Sequence, residues 1–89
     1  MDILKSRRKT ITHAFMFTAI VDGVTSTGTA IIDSAIGFSA PISLIKGQDP
    51  VIYESLERLA YDRPKKGGRV TRGANEDYRL TPVRVSRKA

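Results

Sequence analysis

The clearest pattern of apolar and polar positions runs from Ile11 to Asp33, two β-type runs with Asp22-Gly23 between them. An Asp-Gly pair between two such runs predicts a two-residue type I′ turn, in which both central residues need positive φ. That turn sets a register. Val21 faces Val24, Ala19 faces Ser26, Phe17 faces Gly28, Phe15 faces Ala30 and His13 faces Ile32, so one face is mostly apolar. The opposite face pairs Thr18 with Thr27, Met16 with Thr29 and Thr12 with Asp33, and it is mostly polar. Both faces agree with one register, which supports the hairpin and its phase together. Phe17 opposite Gly28 adds an aromatic ring over backbone that the glycine leaves bare.

The next segment, Ser34 to Ile45, carries no charge and mixes small with apolar residues. Gly37 and Pro41 argue against a helix, and Ile42 to Ile45 reads as a short strand. Two readings stay open: a loop whose Phe38 and Leu44 complete the core, or an assembly loop ordered against a neighbouring subunit through Ile36, Phe38, Ile42 and Leu44.

Residues 49–61 carry a helix signature, with Asp49 as N-cap, Pro50 at the first helical position, and Ile52, Leu56, Leu59 and Ala60 on one face. Glu54 and Arg58 stand four apart in the favourable order. A competing reading places Val51 to Tyr53 in a strand. Pro64 and the Gly67-Gly68 pair close the element.

A second hairpin follows. A first arm runs through Val70, Gly73-Ala74-Asn75-Glu76 forms the turn, and a second arm puts Tyr78 and Leu80 on one face. The inward phase then moves to Val83 and Val85 around Pro82, which suggests a bulge on an edge strand. The predicted fold is therefore mainly β: a small β-barrel or rolled antiparallel sheet of two hairpins with one short helix and flexible basic termini. Residues 1–9 form the basic arm, 10–85 a single β-rich domain and 86–89 a basic tail.

Eighty-nine residues suit one domain, which buries about 60–65% of its unfolded surface. The core and a catalytic cleft compete for the same few apolar residues. The chain lacks cysteine, so disulfides, thiolate metal sites and cysteine nucleophiles are excluded. No apolar run nears the roughly 20 residues of a membrane span, and no secretory signal is expected. Lys66-Gly67-Gly68-Arg69 lacks phosphate-loop spacing. Ser34, Ser39 and Ser43 lie in no nucleophile elbow, and His13, the single histidine, reads as a core or rim residue. A catalytic role, a metal and a cofactor are therefore not expected.

The net charge of +6 is unevenly spread. Residues 1–9 carry Lys5, Arg7, Arg8 and Lys9 against Asp2, whereas residues 10–57 carry only Lys46 against Asp22, Asp33, Asp49, Glu54 and Glu57. The remaining ten bases fall in residues 58–89, against Asp62, Glu76 and Asp77. Basic ends on an acidic middle suit a polyanionic or acidic partner, or a solvated surface with basic tails. The contact candidates, for DNA or for a neighbouring subunit, are Arg7, Arg8, Lys9, Lys65, Lys66, Arg69, Arg72, Arg87 and Lys88. Tyr78 is the one aromatic residue among the bases of the final hairpin and its phase is inward, so base stacking has little support.

Gly68-Arg69-Val70-Thr71-Arg72-Gly73 with Tyr78-Arg79-Leu80-Thr81-Pro82-Val83, and more loosely Thr29-Ala30-Ile31-Ile32-Asp33, resembles the head–tail joining (head-completion or stopper) proteins of long-tailed bacteriophages, of the lambda type. The resemblance covers about half the chain, and many small β-barrels share such a hairpin. It implies a small β-barrel assembled as a ring, hexameric or similar, between the portal and adaptor of the head and the tail, helping to retain packaged DNA. The location implied is the virion neck, after assembly from the host cytoplasm, with no membrane. The chain is shorter than the family pattern and its hairpin turn longer. A different class of function, a basic β-barrel contacting nucleic-acid phosphates non-specifically, fits the same arginines.

Overall fold

The computed structural model describes residues 12–84. Strand β1 (Thr12–Val21) and strand β2 (Val24–Asp33) form the first hairpin, in the register that the alternation predicts. Asp22 and Gly23 take φ of 51° and 82°, as a type I′ turn requires. Strand β3 (Gly37–Ser39), helix α1 (Pro50–Asp62), strand β4 (Gly68–Arg72) and strand β5 (Glu76–Val83) follow. The five strands make one antiparallel sheet in the order β3-β2-β1-β5-β4, curled like half a barrel. The expected rolled sheet with a single helix is thus the observed fold.

One face of the sheet holds the core. Phe15, Phe17 and Ala19 of β1, Ala30 and Ile32 of β2, and Tyr78 and Leu80 of β5 meet Ile52, Leu56 and Ala60 of α1, with Ile45 beside them. The helix starts where its cap predicts, since the Val51 N–H donates to Asp49 Oδ1 at 2.9 Å and Pro50 needs no acceptor there. Its residues 52, 56 and 60 are buried, as helical spacing demands, and the strand reading of Val51 to Tyr53 does not hold. Glu54 and Arg58 form no ion pair. Both side chains stay at the surface, where such a pair adds little.

Three local expectations are corrected. Ile42–Leu44 is a 3₁₀ turn, and the strand in this segment is β3, three residues earlier, paired with Ile31 to Asp33. The Asp33 carboxylate directs that path by accepting from the N–H groups of Ala35 (2.7 Å) and Ile36 (3.2 Å), which forms a tight turn straight after β2. Secondly, β5 has no bulge and is not an edge strand: its register against β1 is unbroken from Val21↔Glu76 to Ala14↔Val83. Val83 points outward and is 44% exposed, while Val85 lies outside the described residues. Pro82 fits because β4 pairs only as far as Leu80, so the proline lies beyond that ladder. Thirdly, the second turn is Gly73-Ala74-Asn75, and Glu76 already belongs to β5.

The glycine pair that closes the helix is a packing device. Gly67 has φ of +70°, and a Cβ there would lie 2.0 Å from the Leu80 carbonyl oxygen. Gly68 lies under Leu59, so the helix end can drop onto β4. Gly47 shares the positive φ (+65°) but faces open space. Gly47→Ala is therefore expected to cost about 1 kcal/mol, and Gly67→Ala about 3 kcal/mol or more because backbone must also move. Thermal unfolding of the two variants checks the difference, and equal losses would contradict the packing role.

Candidate functional site

Strand register divides the molecule into two poles. At one, β1 begins beside the end of β5. At the other lie the Asp22-Gly23 and Gly73–Asn75 turns, joined by the Asp22 N–H donating to the Asn75 carbonyl at 2.9 Å.

The turn pole is tied down by polar contacts. Tyr78 is fully buried, stacked on Phe17 with ring centroids 6.4 Å apart. Its hydroxyl donates to Glu76 Oε1 (2.8 Å) and accepts from the Lys46 N–H (3.3 Å), which pins the loop before α1 to β5. Burial, then the bond to Glu76, pushes the Tyr78 phenol above its ordinary value. The Lys46 ammonium lies 3.4 Å from Asp22 Oδ2. Arg72 binds the second oxygen of Asp49, so one carboxylate caps the helix and holds the hairpin.

Two of the nine basic candidates are thereby accounted for within the chain. Arg72 pairs with Asp49, and Arg69 pairs with Asp77 at 3.1 Å on the outer sheet face. Arg79, not singled out by the sequence, shares Asp77 at 2.9 Å. Hydrogen bonding from Arg79, ahead of that from Arg69, holds the Asp77 carboxyl below the ordinary carboxylate range. The Arg72–Asp49 and Arg69–Asp77 pairings join residues of separate elements, and charge counting along the sequence does not reveal them.

Lys65 and Lys66 behave differently. They lie exposed in the turn between α1 and β4 and form no ion pair among the described residues. Arg63 and Arg84 are likewise exposed and form no ion pair among the described residues. An open cleft of about 600 Å³ brings Lys65 and Arg84 together with His13, Pro64 and Pro82 at the pole where β1 begins and β5 ends. His13 is half-buried, at the rim as expected, beside Ile32, Ala60 and Tyr61. Arg7, Arg8, Lys9, Arg87 and Lys88 lie outside the described residues.

The assembly-loop residues split. Phe38 packs against the core and meets Tyr53 edge-on at 5.3 Å, and Leu44 packs inward over Gly28. Ile36 and Ile42 stay exposed, at 83% and 41%. So core completers and surface residues alternate along one segment. Among the described residues no group of His, Asp and Glu is arranged to hold a metal ion.

The sheet edges are the remaining feature. β3 covers β2 only from Ile31 to Asp33, so Val24 to Ala30 has a backbone edge that pairs with no other strand among the described residues and carries no charge, proline or bulge. β4 is the other edge and carries Arg69 and Arg72. No protein-family model, no curated protein and no solved structure matches this chain.

The raised Tyr78 pKa has a sign. The neutral phenol is favoured in the fold, so its contribution is fully present below about pH 10, the unfolded value, and is lost as pH rises through the folded value. Tyr78→Phe is expected to cost about 1–2 kcal/mol at neutral pH, by unpairing Glu76 and the Lys46 N–H. It should also lessen the loss of stability as pH rises above about 10. Denaturant titrations of both proteins across that range measure both effects, and parallel pH profiles would contradict the account.

Proposed function

We propose that this protein is a structural rather than a catalytic component: a ring-forming joiner of a bacteriophage neck, set between head and tail. The observation that carries the reading is the unfinished sheet. A curled sheet whose long β2 edge is uncharged and unpaired is a domain that neighbours complete, because bare strand edges template further pairing. Exposed apolar residues flank the unfinished sheet at both sides, Val24 (65%) on β2 and Val51 (59%) beside β4. The phage assignment draws on the resemblance of Gly68–Gly73 and Tyr78–Val83, which form β4 and β5 with their turn. In this role the portal or adaptor and the tail are the flanking partners. The basic pole then faces packaged DNA or an acidic neighbouring surface.

A second reading has its own observation. Lys65 and Arg84 line one cleft, Arg63 and Lys66 flank it in sequence, and none of the four has an ion-pair partner among the described residues, which suits non-specific phosphate contact by a free nucleic-acid-binding domain.

Native mass at low and high salt, with and without duplex DNA, separates the two. The joiner is expected to run near six times the 9.8 kDa chain mass at both salts. A monomer that binds DNA tightly at low salt and releases it at high salt would overturn the joiner and favour the binder.

A further inference from the structure

The two open edges of the sheet match each other in height, direction and hydrogen-bonding phase. Height follows from the pairings. Thr27, Thr18, Arg79 and Arg69 form one row across β2, β1, β5 and β4, and Thr25, Ile20, Asp77 and Thr71 form the row two residues on. Gly28 to Val24 on the bare edge therefore spans the same rows as Gly68 to Arg72 on the far edge.

Direction follows from the order β2-β1-β5-β4, antiparallel throughout, so β2 and β4 run oppositely. In a ring whose axis lies along the strands every copy keeps its strand sense. The β2 edge of one copy therefore meets the β4 edge of the next as an antiparallel pair.

Phase follows from the first turn. Val21 and Val24 are the outer residues of a four-residue β-turn and form a hydrogen-bonded pair. Bonded and non-bonded pairs then alternate, so odd-numbered residues of β1 bond to β2 and even-numbered ones bond to β5. The Asp22 N–H donating to Asn75 on the β5 side agrees with that parity. Carried across the sheet, the alternation leaves Thr25 and Thr27 with N–H and C=O pointing out of the β2 edge. On β4 it leaves Arg69 and Thr71 pointing out. These four residues lie in the two rows named above, so same-height pairing brings free donors opposite free acceptors.

Building on the ring reading, we infer that copies of this chain join head to tail through the β2 edge of one and the β4 edge of the next. Thr25 pairs with Thr71, and Thr27 with Arg69, of the neighbouring copy. Each subunit then adds four strands to one continuous belt, and neither edge is left over. Charge favours this pairing over a symmetric one at β4, which would set Arg69 and Arg72 against their own copies. In the head-to-tail joint these arginines face the uncharged Val24–Gly28. The inner side of each edge is flanked by an open groove, about 490 Å³ beside Val24 and Ser26 and about 630 Å³ beside Val51, Leu59 and Val70. The joint runs these two grooves together and covers Val24 and Val51.

The chain has no cysteine, so engineered thiols report cleanly. Cα atoms of a hydrogen-bonded antiparallel pair lie about 5.5 Å apart, within disulfide range. The double variant T25C/T71C, oxidised as the full chain, is expected to cross-link into a ladder that stops at the ring number, while T25C alone and T71C alone give no cross-link. Thr27→Pro and Thr71→Pro remove donors that face away from β1 and β5. They are expected to keep the thermal midpoint near that of the parent and to run as monomers. A ring that forms without the T25C–T71C link overturns the joint and leaves the ring. Self-linking of T27C in a dimer overturns the joint in favour of symmetric β2 pairing. A parent protein that stays monomeric at every concentration tried overturns the ring and the joint together.

Discussion

Positive φ at two consecutive residues, Asp22 and Gly23, sets the parity of the whole sheet. Because side chains alternate in strands, a slip of one residue at that turn would expose Phe15, Phe17 and Ala19 and bury Met16, Thr18 and Ile20. β5 reads its own phase from β1, since Phe17 is opposite Leu80 and Ala19 opposite Tyr78. β4 then reads its phase from β5. The bond from the Asp22 N–H to the Asn75 carbonyl ties the second hairpin's turn to the first. The core, the outward row of threonines and the direction of every free edge group descend from one turn.

Sequence patterns speak most clearly where the controlling contacts are local. The first hairpin was legible because its turn chemistry and both of its faces agree on one register. The helix was legible because Asp49, Pro50 and the spacing of Ile52, Leu56 and Ala60 all act within three turns. Where tertiary contact decides, the pattern misled. Ile42 to Ile45 looks like a strand, yet the Asp33 carboxylate turns the chain early and β3 forms at Gly37–Ser39 instead. Pro82 looked like a bulge because Val83 and Val85 looked like core, but β1 holds β5 in straight register through Ala14↔Val83. Placing β5 beside β1, and so making β4 the edge, depends on the core as a whole.

The candidate surface was legible in the same measure. Charge counting found the basic ends, and Lys65 and Lys66 do lie exposed, Lys65 at the pole where β1 begins and β5 ends. It could not distinguish these from Arg69 and Arg72, whose carboxylate partners come from β5 and from the start of α1. Nor did it show that half of the uncharged loop is core. Leu44 packs inward because Gly28 leaves room for it and Pro41 above β2, and Phe38 because β3 sets it opposite Ile32 and against Tyr53. The open edges emerge only once strand order is known. They matter more than the arginines, because unpaired backbone is the one feature of this domain that a second copy can satisfy without changing the fold.

The most direct measurement is residue-resolved amide hydrogen exchange on assembled and dilute protein. Head-to-tail assembly predicts that the Thr25, Thr27, Arg69 and Thr71 amides exchange freely in the dilute chain and slow by orders of magnitude on assembly. The Ser26 and Val70 amides, already bonded within the sheet, are protected in both. An assembled form in which those four amides still exchange as fast as loop amides would contradict the account.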